Sequence, residues 1–143
     1  MRLTVSTICD SATVREGLLH ILGAGITTVS SPIPAHLPLE LAVMLQIEHG
    51  DAGPHTISVV MRNEETEDKV GELRAEFEIP KEVTIETDLP LGNIPLPTPL
   101  RDFRVPKAGR YICQVILDGQ ILDTRYLLVR EQDEKSANGK SGK

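Results

Sequence analysis

The sequence predicts an all-β fold, a two-sheet antiparallel β-sandwich, and three observations carry the prediction. Apolar residues recur at every second position through most of the chain, the period of a strand rather than of a helix. Eleven glycines and ten prolines divide these runs into short segments, as strand-and-turn architectures require. An Asp118-Gly119 pair stands between two alternating runs, a strong short-range mark of a hairpin.

The elements follow in order. Leu3, Val5, Thr7 and Cys9 alternate with Arg2, Thr4, Ser6 and Ile8 and predict a first strand with one face inward. Asp10 is placed to cap one helical turn through Arg15 or to close an Asx-type turn, with Gly17 ending either. Leu18–Leu22 and Ile26–Val29 read as two strands joined at the Gly23-Ala24-Gly25 bend, and the Pro32 and Pro34 region as a connection or sheet edge.

From Leu37 the alternation of Leu39, Leu41, Val43, Leu45 and Ile47 predicts a central strand, with His55–Arg62 as its partner and Ile57, Val59 and Met61 facing inward. Leu73, Ala75, Phe77 and Ile79 against Glu72, Arg74, Glu76 and Glu78 give the cleanest pattern, one face buried and one solvated. Glu82–Glu86 extends that strand or begins the next. The prolines between Leu89 and Pro99 predict an extended, polyproline-like crossing between sheets. Arg101–Val105 reads as a brief strand with Phe103 and Val105 inward.

A two-residue Asp-Gly loop sets the register of the last hairpin, Arg110–Arg130. Counting back from Leu117 opposite Gln120 pairs Val115 with Leu122, Cys113 with Thr124 and Tyr111 with Tyr126 on a core face. The opposite face then carries Ile112, Ile116 and Ile121 beside Leu127 and Val129. Residues 1–130 form one domain, and the polar segment 131–143 reads as a disordered tail.

Composition narrows function. A net charge of -6, with basic residues spread along the chain, disfavours binding to a phosphate backbone, and four aromatics offer no stacking series. Leu37–Ile47, the longest apolar stretch, is broken by Glu40 and Gln46 and falls short of the roughly 20 residues of a membrane span. The N-terminus lacks the apolar segment of a signal peptide, which points to the cytoplasm. Cys9 and Cys113 then read as reduced, buried thiols, bridged only if their strands lie side by side.

No segment carries a catalytic, cofactor or metal motif. Gly23-Ala24-Gly25 lacks the third glycine of a dinucleotide loop. Glu48, His49, Asp51 and His55 could gather a metal, though Gly50, Gly53 and Pro54 already explain the segment as a turn. Glu64, Glu65, Glu67 and Asp68 match no calcium spacing. The aliphatic outer face of the last hairpin, with Ile112, Ile116 and Ile121, is a candidate for contact with another protein.

The segment from Asp10 to Gly25, together with Pro106-Lys-Ala-Gly-Arg-Tyr111 and Val115-Ile-Leu-Asp-Gly119, resembles a family of small bacterial proteins of unknown function. The resemblance covers residues 1 to about 130 and implies a β-sandwich and bacterial origin, with no activity or cofactor to transfer. The Gly-x-Tyr entry to the hairpin also resembles a strand of immunoglobulin-like sandwiches, so the expected fold is immunoglobulin-like or C2-like. The expected function is non-enzymatic: binding to a protein partner or assembly into a homo-oligomer through a sheet face, edge strand or end loops. The alternative is a small-molecule or metal site, a hydrolytic one included, in the His49–His55 loop.

Overall fold

The computed structural model describes residues 1–81 and 92–132. Among them lie twelve strands: β1 (Arg2–Cys9), β2 (Ser11–Arg15), β3 (Leu18–Leu22), β4 (Thr28–Ser31), β5 (Ala35–His36), β6 (Glu40–Gln46), β7 (Gly53–Asn63), β8 (Lys69–Ile79), β9 (Asn93–Pro99), β10 (Arg104–Val105), β11 (Gly109–Leu117) and β12 (Gln120–Glu131). The protein is all-β, as its alternating pattern demands. A three-stranded sheet β1-β6-β9 and a five-stranded sheet β4-β12-β11-β7-β8 are joined by two ribbons, β2-β3 and β5-β10. Pairing is antiparallel except between β12 and β4, which run parallel.

The two larger sheets share one core. Leu41, Val43 and Leu45 from β6 meet Ile57, Val59 and Met61 from β7 and Tyr111, Cys113 and Val115 from β11, all buried. Removing each such aliphatic side chain from water is worth about 1.5 to 3 kcal/mol, which is what fixes the inward faces of these strands. The Tyr111 hydroxyl is satisfied inside this core by donating to the Lys107 carbonyl at 2.6 Å.

The β11–β12 hairpin has the expected turn, with φ of 50° at Asp118 and 82° at Gly119, and the expected first pairs, Leu117 with Gln120 and Ile116 with Ile121. The register then shifts. Val115 lies opposite Asp123 rather than Leu122, and from there Cys113 faces Arg125, Ile112 faces Tyr126 and Tyr111 faces Leu127. Leu122 is the extra residue of a β-bulge, and because side chains alternate with period two, one extra residue inverts every later assignment. Tyr126 is 54% exposed instead of buried, while Leu127 and Val129, expected outside, are buried at 1% each. The β11 core face of Tyr111, Cys113 and Val115 is as expected.

A second bulge changes β1. Leu3 pairs with Leu45, but Val5 pairs with Met44 and Ile8 with Leu41, so Thr4 is the inserted residue. Ile8 therefore joins the main core and Cys9 turns the other way, against Ala12 and Ala42 in a smaller cluster. The capped turn expected at Asp10–Arg15 is instead strand β2, hairpinned to β3 through Glu16 and Gly17 at φ 54° and 75°. The β2–β3 ribbon lays Leu19 and Ile21 over that cluster.

β6 is central, but its partners are β1 and β9, and β7 instead pairs with β8 and β11. The chain crosses from one sheet to the other between β6 and β7. The proline segment at 93–99 is an edge strand rather than a free crossing. Ile47 donates its N–H to the Gly92 carbonyl and Leu100 donates to Leu39, so even-numbered residues of this stretch aim at β6. Pro95, Pro97 and Pro99 consequently point their donor-less nitrogens at the open side, where a missing N–H costs the sheet nothing. Leu100–Asp102 forms a 3₁₀ turn before β10, and Phe103 and Val105 are buried as expected. The expected strand at Glu82–Glu86 and the expected tail beyond Gln132 lie outside the described residues.

Candidate functional site

The His49–His55 loop is held by its own polar groups. Asp51 accepts the Glu48 N–H at 2.6 Å and the N-terminal ammonium of Met1 at 2.8 Å. The His55 ring reaches the Asp118 carboxylate through Nδ1 and the Asp51 carbonyl through Nε2, each at 2.6 Å, and stacks on Phe77 at 5.6 Å. Burial pulls the imidazole toward neutrality, but these acceptors outweigh it and hold its pKa above the ordinary histidine range. The His55 hydrogen bond, and the Thr56 N–H after it, keep the Asp118 carboxyl below the usual carboxylate range. His55 thus ties the β7 entry to the β11–β12 turn, and would have to give up one of these two contacts to ligate a metal.

His49 stands exposed at the turn. Among the described residues no group of three or more His, Cys, Asp or Glu side chains gathers as a metal site. The acidic loop after β7 is likewise turn chemistry: the buried Asn63 amide oxygen accepts the N–H groups of Glu65 and Thr66. At Gly23-Ala24-Gly25 the Gly25 N–H is taken by the Ile8 carbonyl and Thr7 hydroxyl, leaving no cradle for phosphate. Cys9 and Cys113 are both free and buried in separate clusters, and burial pushes the Cys113 thiol up to about 12, an unreactive value.

The outer face of the five-stranded sheet keeps part of its expected character. Ile112 and Ile116 are half-buried there, Ile121 is 53% exposed, and Tyr126 takes the place expected of Leu127. Apolar exposure on this face is therefore confined to a few side chains.

Among the described residues the longest edge strand of the two larger sheets is β8, which no alternation pattern could have flagged, because strand order is not written in it. β8 is the terminal strand of its sheet. The Thr56 C=O accepts from the Asp118 N–H at 2.8 Å and the Thr56 N–H donates to the Asp118 carboxylate, so even-numbered residues of β7 aim toward β11 and odd ones toward β8. Ile57 pairs with Ala75 and Val59 with Leu73. It follows that Glu72, Arg74, Glu76 and Glu78 present their backbone N–H and C=O groups outward, in a row without a strand partner among the described residues.

Inside that row, Leu73, Ala75, Phe77 and Ile79 face β9 across an open cleft. Two adjoining hollows of about 190 and 340 Å³ meet at Ala75 and Leu96, floored by Val43, Ile57 and Ile94. They suit side chains entering between the sheets rather than an enclosed ligand. Charges on β8 lie on the solvent face, where Lys69 meets Glu72 at 2.7 Å and Arg74 meets Glu76 at 3.8 Å.

Among the described residues no helix is long and apolar enough to cross a membrane. A comparison with curated proteins finds no match. A family model does match, over residues 4–130, spanning both larger sheets and the β8 edge, and the chain accordingly belongs to the family of unknown function DUF6941.

Proposed function

We propose that the protein is a non-enzymatic protein-binding or assembly module that engages its partner along the β8 edge. One observation supports the reading above the rest: an 11-residue edge strand lined by four outward backbone donor–acceptor pairs, beside an apolar cleft. Sheets protect their edges with short strands, prolines, bulges, charged side chains or inward-pointing charges, because exposed backbone groups template another strand. Of these β8 has only charges on its solvent face and a bulge at one end. β9 carries three prolines, β1 a bulge, and β4 only four residues. β8 has no proline and no inward charge, and its only bulge lies at the Met61–Arg62 end.

The hydrolytic or metal reading of the His49–His55 loop has less support, since His55 already spends both ring nitrogens on the protein itself. Hydrogen exchange tests the proposal. The Glu72, Arg74, Glu76 and Glu78 amides should slow either as protein concentration rises or on adding excess of an alternating Val-Thr heptapeptide. Exchange at the rate of free surface amides under both conditions refutes it.

A further inference from the structure

Resting on that reading, we infer that the occupant of the β8 edge is a second copy of the same strand, antiparallel, about a two-fold axis at Ala75. An antiparallel pair of identical strands is a closed, isologous contact, so each favourable cross-strand pair is made twice. The outward groups sit on even-numbered residues, and a two-fold at the odd-numbered Ala75 places even opposite even. Arg74 then faces Glu76 of the other copy as a hydrogen-bonded pair, and the reverse.

The register follows from the side chains. Centring on Ala75 sets Leu73 against Phe77 twice on the cleft side, an aliphatic–aromatic pairing of the kind that stabilises sheets. It puts the smallest side chain of that face at the point of closest approach. On the solvent face it joins Arg74 to Glu76 across the axis, exchanging the loose 3.8 Å intrachain pair for two intermolecular ones. Glu72 comes opposite Glu78, but Lys69 already sits on Glu72 at 2.7 Å and offsets the repulsion. Moving the axis to Arg74 or Glu76 would set like charges against each other directly.

The two five-stranded sheets would merge into one continuous sheet, with Leu73 and Phe77 of each copy closing the mouth of the cleft. The outward prolines of β9 lie at the same edge and cannot pair, so they leave the β8 row as the ladder. Nothing in this arrangement needs the fold to change.

A cysteine at the axis reads out the register. Residues facing each other as a non-hydrogen-bonded antiparallel pair have Cα atoms about 4.5 Å apart, within disulfide range. Ala75→Cys treated with oxidised glutathione should give a covalent dimer, while Glu78→Cys should not. Cys9 and Cys113 are buried and stay silent.

Sedimentation of the full chain should show a concentration-dependent dimer. Arg74→Glu should raise its dissociation constant at least tenfold, and Arg74→Glu combined with Glu76→Arg should restore it. Glu76→Pro, which removes an outward N–H and the Glu76 carboxylate but no bond to β7, should give a folded monomer with an unchanged far-ultraviolet spectrum. A chain that is monomeric at every concentration, while its β8 amides are protected by the Val-Thr peptide, overturns the second copy and leaves the edge reading standing. A dimer in which the Ala75→Cys variant fails to cross-link, or one indifferent to Arg74→Glu, also overturns it.

Discussion

Leu127 and Tyr126 are neighbours whose roles the Leu122 bulge exchanges, so their truncation weighs the observed register against a regular one. Leu127 is 1% exposed and packs in the main core, whereas Tyr126 is 54% exposed on the outer face. Leu127→Ala removes three buried carbon groups at about 0.8 kcal/mol each and leaves a cavity that a rigid two-sheet core closes poorly. The expected loss is about 3 to 4 kcal/mol. Tyr126→Ala uncovers about half of one ring's contact and should cost about 1 kcal/mol or less. Urea unfolding of both variants, followed by far-ultraviolet circular dichroism at constant m, measures the two numbers directly. A regular hairpin would invert the order, because Tyr126 would then face Tyr111 in the core. Equal losses, or a larger loss at Tyr126, would refute the bulge.

Two further outcomes follow from the packing and the polar clasp. A Cβ at Gly71 would stand 2.8 Å from Phe103 Cε1, and closer to Cδ1 and Cγ, with the ring buried at 4% and unable to retreat. Gly71→Ala should therefore cost about 1 to 3 kcal/mol, and the same change should cost less in a Phe103→Leu background; equal costs in both backgrounds would dissociate the two residues. The His55–Asp118 link has a pH window set by both groups. The imidazole, raised in the folded state, contributes fully below about pH 6.5 and loses that contribution as pH climbs through its folded value. The carboxyl, lowered, contributes above about pH 3.9 and loses that as pH falls through its folded value. Asp118→Asn should thus lower stability by about 1 kcal/mol near pH 5, allowing for the half-exposed carboxylate, and by less near pH 8. Urea midpoints of the two proteins that differ equally at both pH values would exclude the charge-assisted bond.

Strand content was legible because alternation is a local property. Leu41, Val43 and Leu45, Ile57, Val59 and Met61, and Tyr111, Cys113 and Val115 could be assigned inward from period alone, and all face the core. The Asp118-Gly119 turn was legible because two consecutive residues at positive φ demand that chemistry. Bulges at Thr4 and Leu122 were not, since the inserted residues are ordinary members of an alternating run. What makes them bulge is the sheet opposite, where Ile8 and Leu127 gain burial by slipping one place.

The candidate site was hidden for a related reason. The pattern of β8 announces one solvated face and one apolar face, the same for a central strand as for an edge. Only the strand order leaves Glu72 to Glu78 without a neighbouring strand among the described residues, and only the parity set at Thr56 turns their N–H groups outward. The proline run at 95–99 reads in isolation as a chain that cannot pair, yet β6 accepts it because the donors that remain, Ile94, Leu96 and Thr98, all lie on one side. By itself the sequence determined most of the longer strands, β2 and β9 excepted, their inward faces up to each bulge, and the last turn. The tertiary structure decided partners, register beyond the bulges and the open edge, because those depend on which apolar faces meet, and that free energy exists only when both are in place.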